Sequence, residues 1–268
     1  MHRPTSVCAI ALSATLLVSG WWMVSAGAPN SYAFVNLAAL IAGLVLAFAI
    51  ARVPAKAALP APAVLGALAL ASGPSIDGVH RWVALGGLSI HATMLAGPCF
   101  AVAFQRIGGW PASLAAVAFA TVTAFQPDFG MALALTCGIA VALVVQRDLP
   151  TLAAFACAAL ATVWTAWRGD PLSAVPFVEG VVQRMASEHS AAALISLALL
   201  ALATAAPALL REGRQAGGLA FAGYSVGLVG ASLIGPFPAP LVGYGAAPIL
   251  GYCLALGLLI RPPSATER

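Results

Sequence analysis

Ten long apolar stretches, separated by short polar loops, make up most of the chain. A helix needs roughly 20 apolar residues to cross the hydrocarbon core of a membrane, and these stretches approach that length. They are Val7–Ala26, Ala33–Ala51, Ala57–Ser72, Leu88–Phe104, Pro111–Phe125, Gly130–Gln146, Leu149–Trp167, Ser190–Leu210, Gly217–Ile234 and Leu241–Ile260. A soluble fold of 268 residues could not bury this surface, since 62% of the residues are hydrophobic and only 7% are charged. We therefore predict an all-α fold, a polytopic membrane helix bundle with about ten transmembrane helices, forming one domain over residues 1–268.

Lysine and arginine residues fall mostly in the loops on one side of this predicted bundle. An even number of spans puts both termini on one side, whose loops hold nine of the twelve Lys and Arg residues. These nine are Arg3, Arg52, Lys56, Arg106, Arg147, Arg211, Arg214, Arg261 and Arg268. Because positively charged loops tend to stay in the cytoplasm, we expect cytoplasmic termini and a multi-pass protein of the bacterial inner membrane.

Acidic residues and histidines fall mostly in the loops on the other side. The acids there are Asp77, Asp128, Asp170, Glu179 and Glu188, and the histidines are His80, His91 and His189. No Asp, Glu, Lys or Arg stands at the centre of a predicted span, which argues against an ion-coupled transporter. A lipid or solute transporter with an uncharged path is a third alternative for the function. We expect the ionisable chemistry to gather on the outer face.

Several kinds of site have no support in the sequence. The five cysteines lie in apolar stretches and form no CxxC motif or Cys/His pair with metal-ligand spacing, so we expect no metal and no cofactor. No basic cluster of the kind that binds nucleic acid is present. The triplet Ala26-Gly27-Ala28 resembles a signal-peptide cleavage site, but Trp21 and Trp22 fit an interfacial belt and favour a retained first helix.

A short polar turn, Gln126 to Gly130, interrupts the apolar sequence in the middle of the chain. A carboxylate between two membrane helices must lie at a membrane face or in a polar cavity. Asp128 could cap the following helix, or it could take part in a site as an electrostatic partner. Both interpretations place Asp128 at the outer surface.

The outer loop Gly73–Gly87 contains an adjacent arginine and tryptophan, Arg81 and Trp82. The guanidinium fork donates two hydrogen bonds and suits a phosphate or diphosphate. An interfacial tryptophan packs well against an acyl chain or a sugar face. The alternative is a pair of anchors at the bilayer surface.

The outer loop from Arg168 to His189 has a helical pattern of apolar and polar residues. Its apolar face contains Phe177, Val178, Val181, Val182 and Met185, and its polar face contains Glu179, Gln183 and Ser187. The pattern predicts a short amphipathic helix on the outer membrane face, with Arg184 and Glu188 paired one turn apart. Either this loop is only an interfacial helix, or Glu179 or Asp170 acts as a general base beside a lipid-borne substrate.

In the last outer loop, residues 235–248, the prolines Pro236, Pro238 and Pro240 are followed by the glycines Gly243 and Gly245. This composition predicts an irregular re-entrant segment, which is stable at membrane depth only where protein or a wet cavity covers it. A plain surface connection is the alternative. In the ninth span, Gly223 and Gly227 have the GxxxG spacing that predicts close helix packing.

Three of these segments resemble, in order and spacing, motifs of the SEDS family (shape, elongation, division and sporulation). The family segment G-x-x-R-W-(I/V)-x-L-G is matched by Gly78 to Gly86, and the turn (Q/E)-P-D-(L/F)-G-T-A by Gln126 to Ala132. The final motif P-x-P-F-x-S-Y-G-G-S is matched by Pro238 to Ala247. The resemblance covers about residues 35 to 260 and implies the ten-span, termini-inside topology of that family.

The resemblance also implies a function in peptidoglycan assembly. SEDS proteins polymerise lipid II, an undecaprenyl-diphosphate-linked disaccharide peptide, usually beside a class B penicillin-binding protein. Arg81 and Trp82 would then bind the substrate headgroup, with Asp128 and Tyr244 as further substrate-binding residues. Glu179 or Asp170, which are nearby acids that match no family motif, would be the catalytic base.

The chain is shorter than typical family members and departs from them where the chemistry matters. The family's Q-P-S-E segment and the Lys that follows are replaced by His91 to Met94 and by Gly97. Met131 replaces the Thr of the turn, and Gly243 and Ala247 replace two Ser residues of the final motif. The essential Asp of the long outer loop has no match, because Pro176 or Ala191 stands in its place. The alternative function is therefore a non-catalytic scaffold that binds lipid II or a penicillin-binding protein.

Overall fold

The computed structural model describes residues 3–209 and 217–260, and most of this part of the chain is helical. The helices are α1 (Arg3–Ser25), α2 (Asn30–Ile50), α3 (Ala61–Ser72), α4 (Ala92–Ile107), α5 (Gly109–Phe125), α6 (Phe129–Gln146), α7 (Leu149–Arg168), α8 (Val181–Glu188), α9 (Ser190–Leu209), α10 (Gly218–Ile234) and α11 (Ala246–Ile260). A 3-10 turn, Ala55–Ala58, precedes α3, and an antiparallel hairpin of β1 (Trp82–Leu85) and β2 (Leu88–His91) precedes α4. The chain is an all-α bundle with one small hairpin among the described residues.

Six described helical segments are long and apolar enough to cross a membrane. They are Ser6–Ser25, Asn30–Ile50, Ala55–Ser72, Phe129–Gln146, Leu149–Arg168 and Ser190–Leu209. Helices α5, α10 and α11 are apolar but have only 15 to 17 residues. The number of ten spans and the cytoplasmic termini stay predictions. Leu210 and part of the charge count, namely Arg211, Arg214, Arg261 and Arg268, lie outside the described residues.

The predicted fourth span is wrong at its start, because Leu88–His91 forms β2 and pairs with β1. Gly86 and Gly87 have φ angles of +56° and +83°, which a two-residue hairpin turn requires. Helix α4 begins only at Ala92. His91 is its N-cap, because the His91 side chain accepts a hydrogen bond from the backbone N–H of Met94 at 3.3 Å.

The last helix also begins later than predicted, at Ala246 instead of Leu241. Leu241 and Gly243 have φ angles of +63° and +94°, which lie in the left-handed region and cannot continue a right-handed helix. The preceding segment is irregular as expected, and residues 239–243 are buried. Protein therefore covers this backbone, as the prediction of a re-entrant segment requires, and the alternative of a plain surface connection is wrong.

The amphipathic helix predicted in the outer loop is α8, which is shorter than the sequence pattern. Its apolar residues Val181, Val182 and Met185 are at most 7% exposed and belong to the main core. Helix α8 packs against α9 and α10, so its apolar face meets protein. The apolar face of this helix is therefore covered by protein, and its position at the outer membrane face stays a prediction. The predicted pair is present, with Arg184 Nε 2.8 Å from Glu188 Oε1.

Helices α6 and α10 pack closely through the two glycines of the GxxxG spacing. A Cβ atom at Gly227 would lie 2.6 Å from the Cα of Ala134, and one at Gly223 would lie 2.8 Å from the carbonyl oxygen of Cys137. The prediction of close packing is confirmed, because only a residue without a side chain fits at either position. Since α6 starts directly after Asp128, this contact holds the polar turn in place.

Candidate functional site

Arg81 lies just before β1 and connects separate parts of the chain. Its Nε donates a hydrogen bond to the carbonyl oxygen of Gln126 at 2.9 Å, and one terminal nitrogen donates to that of Pro127 at 2.7 Å. The other terminal nitrogen lies 2.8 Å from Oδ2 of Asp170. Arg81 is only 7% exposed, so these partners replace the water that its charge gives up on burial. The structure thus brings two of the predicted site residues, Arg81 and Asp170, into direct contact.

The polar turn is held in place by the side chain of Gln126, which is fully buried. Its Nε2 donates hydrogen bonds to the carbonyl oxygens of His80 at 3.0 Å and Gly66 at 3.2 Å. The backbone next to Arg81 is held as well, because Ala92 N–H donates to the Arg81 carbonyl oxygen at 3.0 Å. The position of Arg81 relative to the turn is therefore set by backbone bonds and a buried amide.

The two carboxylate oxygens of Asp128 have different partners in the turn. Its Oδ1 accepts a hydrogen bond from the backbone N–H of Met131 at 3.1 Å, so Asp128 is the N-cap of α6. Its Oδ2 lies 3.2 Å from Nε2 of His91. Capping and electrostatic pairing were alternatives in the sequence, and the structure contains both.

The charge of Asp128 is set by its neighbours. Burial acts to raise the pKa of this carboxyl, but Arg81 and His91, with the hydrogen bond from Met131, outweigh that effect. The pKa of Asp128 consequently lies below its usual range. Asp128 is therefore a permanent anion at neutral pH beside the buried Arg81.

Glu179 lies in the same loop as Asp170, between α7 and α8. Its Oε2 accepts a hydrogen bond from the backbone N–H of Val175 at 2.6 Å, and its backbone pairs with Pro238 in an isolated β-bridge. Burial is the main reason why the pKa of Glu179 is raised, and the negative charge of Asp170 adds to the rise. Arg81 acts in the opposite direction, so these three groups share one electrostatic environment. A carboxyl group with a raised pKa is better suited to accept a proton.

Trp82 and Tyr244 take different positions relative to this cluster. The Trp82 ring is half-buried and meets the His91 ring edge-on, with centroids 5.9 Å apart. Tyr244 instead stacks on Tyr32 with centroids 3.9 Å apart, and its N–H donates to the Phe177 carbonyl oxygen at 2.6 Å. The structure therefore places Trp82 beside the charged cluster and Tyr244 in a neighbouring aromatic group.

Two of the departures from the SEDS motifs are linked through Tyr224. A Cβ atom at Gly97, where the family has Lys, would overlap the hydroxyl of Tyr224. That hydroxyl lies 3.7 Å from Sδ of Met131, which replaces the Thr of the turn. Tyr224 is 1% exposed. The space beside Gly97 is thus filled by a packed Tyr–Met pair.

Sequence reasoning missed three residues that organise this face, namely His91, Asn36 and Ser19. Asn36 on α2 donates to the Gly243 carbonyl oxygen at 2.7 Å and accepts from Gly245 N–H at 3.1 Å. Ser19 on α1 accepts from Gly243 N–H at 2.8 Å. The available signal for Asn36 was an amide inside an apolar span, because such groups need a partner within the protein.

The fold is similar to solved structures of a bacterial membrane protein. The crystal structure of the Thermus thermophilus rod shape determining protein RodA matches with a TM-score of 0.65 and 21% identity, over 94% of each chain. A mutant of that protein matches with a TM-score of 0.64 and 21% identity, over 96% of this chain and 94% of that one.

A third solved structure comes from work titled as the structural coordination of polymerization and crosslinking by a peptidoglycan synthase complex. It matches with a TM-score of 0.63 and 20% identity, over 96% of this chain and 95% of that one. No protein-family model and no curated protein matches the sequence. The polytopic membrane helix bundle and the SEDS resemblance are both confirmed at the level of the fold, and the chain therefore has the fold of the rod shape determining protein RodA.

Proposed function

We propose that this protein is a SEDS-type protein of the bacterial inner membrane that binds lipid II at the outer face and polymerises it. The observation that carries this proposal is the contact of buried Arg81 with Asp170, next to the Gln126–Asp128 turn. An arginine fixed in this way matches the geometry of a diphosphate oxygen. The whole-chain similarity to RodA supports the same conclusion.

In the proposed reaction, a sugar hydroxyl of one substrate attacks the anomeric carbon of another. The new glycosidic C–O bond forms while the bond from that carbon to the diphosphate oxygen breaks. Glu179 accepts the hydroxyl proton, and its raised pKa favours this role over Asp170, which is paired with Arg81. Arg81 stabilises the negative charge that develops on the undecaprenyl diphosphate leaving group.

The proposed partner is a class B penicillin-binding protein, which would crosslink the glycan strands that this chain makes. The support is the similarity to a structure from a peptidoglycan synthase complex, whose title names both polymerization and crosslinking. Co-purification of the chain with the penicillin-binding proteins of its own cell tests this part of the proposal.

A second candidate function, the non-catalytic scaffold, is favoured by one observation. Three donors of Arg81 already have partners inside the protein, so the side chain serves as a structural clamp without any substrate. In that case, the outer face would bind lipid II or a penicillin-binding protein and perform no chemistry.

A polymerisation assay with purified protein and lipid II separates the two functions. Polymerisation predicts glycan product from the wild type and a loss of about 100-fold or more in Glu179→Gln. Glu188→Gln is the matched control, because it removes the charge of another glutamate in the same loop. Glu188 pairs with Arg184. No product from the wild type, under conditions in which RodA is active, favours the scaffold.

A further inference from the structure

Asp170 covers the outer end of the Arg81 guanidinium. The Arg81 side chain is 8% exposed and that of Asp170 is 20% exposed, so the carboxylate lies on the more open side of the pair. The other two bonds of Arg81 go to backbone carbonyl oxygens. Of the three Arg81 nitrogens, the one that faces Asp170 is therefore the donor that an incoming anion can reach.

The cluster already contains more negative than permanent positive charge. Asp128, Asp170 and Glu179 all interact electrostatically with the single guanidinium of Arg81. A diphosphate group brings further negative charge, and like charges at such short range repel strongly where water is scarce. A diphosphate can bind to Arg81 at acceptable cost only if one of the carboxylates leaves.

Asp170 is the carboxylate with the weakest attachment. Asp128 begins α6 and is fixed by its cap and by His91. Asp170 follows Gly169, which has a φ of +73° and no atom within 4 Å of a Cβ built there. Apart from Arg81, the one hydrogen-bond partner of the Asp170 side chain among the described residues is the nearby N–H of Leu172, at 3.1 Å. Rotation about Gly169 can withdraw Asp170 without disturbing a helix.

We propose that Asp170 is a resident anion that occupies the diphosphate position on Arg81 and is displaced when the substrate binds. This inference rests on the proposed function, in which the diphosphate binds at Arg81. The Arg81–Asp170 pair is then an autoinhibitory contact, which keeps the buried arginine satisfied in the absence of substrate. Substrate binding exchanges one anion for another and releases the segment that starts at Gly169.

The test is binding of undecaprenyl diphosphate to the full chain in nanodiscs, with inorganic pyrophosphate as a headgroup-only probe. Asp170→Asn removes the competing charge but keeps an oxygen that accepts from Leu172 N–H. We expect it to bind both probes about three- to tenfold more tightly than the wild type. Glu188→Gln, which breaks a pair of the same 2.8 Å length with Arg184, should bind like the wild type.

The outcomes separate the exchange from the proposed function. Tighter binding by Asp170→Asn alone supports the exchange, whereas equal or weaker binding overturns it and leaves the diphosphate site intact. If neither the wild type nor Asp170→Asn binds either probe, both the proposed diphosphate site and the proposed exchange are overturned.

A second measurement uses a protein with native Asp170, in case the Asn variant does not fold. Ser173 is exposed in the segment that follows Asp170, and Ser173→Cys can carry an environment-sensitive fluorophore. Displacement of Asp170 predicts a fluorescence change that saturates with undecaprenyl diphosphate. Binding without such a change overturns the exchange.

Discussion

His91 Nε2 lies 3.2 Å from Asp128 Oδ2, and this contact joins the N-cap residues of two helices. Each partner uses its other polar atom as a helix cap. His91 Nδ1 accepts from Met94 N–H at the start of α4, and Asp128 Oδ1 accepts from Met131 N–H at the start of α6. The charged cluster and the beginnings of these helices are therefore one structural unit.

We predict that Asp128→Ala lowers the free energy of unfolding by at least about 2 kcal/mol at neutral pH, because it removes a cap and a partner of Arg81. Asp128→Asn should cost less, since its amide oxygen still accepts from Met131. Thermal unfolding in detergent measures both variants. Asp148 also caps a helix, accepting from Thr151 at 2.8 Å, so Asp148→Ala is the control and should cost about 1 kcal/mol.

The pH dependence of stability gives a second prediction for Asp128. Its pKa is lower in the folded than in the unfolded state, so its stabilising effect is present above its ordinary value and is lost as the pH falls through the folded value. The wild type should lose stability as the pH falls below about 4, and Asp128→Asn should lose less. Equal acid sensitivity of the two proteins would contradict this assignment.

Glu179→Gln should retain or gain thermal stability at neutral pH while losing polymerisation. Burial raises the pKa of Glu179, so the folded state holds this proton more tightly than the unfolded state does and loses stability as the pH rises from the ordinary value of a glutamate through the raised pKa. The Gln variant removes this cost and still accepts from Val175 N–H. Unfolding curves of the wild type and the variant at several pH values test this prediction. A large loss of stability in the variant at neutral pH would show that the charge of Glu179 stabilises the fold.

Gly227→Ala should disrupt the contact between α6 and α10. The new Cβ would lie 2.6 Å from the backbone of Ala134, which cannot rotate away, so we expect a cost of about 1–3 kcal/mol. Gly230→Ala is a matched control in the same helix, because a Cβ there meets no atom within 4 Å. Similar melting temperatures of these two variants would rule out close packing at Gly227.

Ser19→Ala should destabilise the irregular segment around Gly243 by about 1–3 kcal/mol, because it leaves the N–H of Gly243 buried without its acceptor. Thr15 lies one turn away on the same helix and is equally buried, but within residues 3–209 and 217–260 its hydroxyl bonds to Ala11 of its own helix alone. Thr15→Val is therefore the control. Hydrogen exchange or limited proteolysis of residues 235–245 would detect the difference between the two variants.

Most helix boundaries followed from the sequence to within a few residues. Apolar windows predicted the helices, because burial in lipid or protein depends on local composition. The errors at the starts of the fourth and last spans, Leu88 and Leu241, fell where glycines with positive φ follow or precede an apolar run. Apolar residues alone could not show that Leu88–His91 pairs as a strand, since pairing depends on the partner β1.

The candidate site was predictable in part. The motifs singled out Arg81 and Asp128, whereas Asp170 and Glu179 were chosen as acids of the 168–189 loop that match no motif. The structure brings Arg81, Asp128 and Asp170 together, while Tyr244 lies in a separate aromatic group. In the sequence, His91 was noted only as one of three histidines on the predicted outer side and as a departure from the family. Its contact with Asp128 depends on the hairpin that ends at His91, which no window of hydropathy reveals.

The sequence by itself determined that this chain is a membrane helix bundle, because hydropathy depends on local composition along the chain, and it predicted that most of the acids lie in the loops on one side. Only the tertiary structure decided which charged and polar groups contact one another. Arg81 meets the carbonyl oxygen of Gln126, 45 residues away, and the carboxylate of Asp170 on a different loop. A buried guanidinium forms hydrogen bonds with the acceptors that lie close to it after the helices have packed. Its partners therefore depend on the tertiary structure.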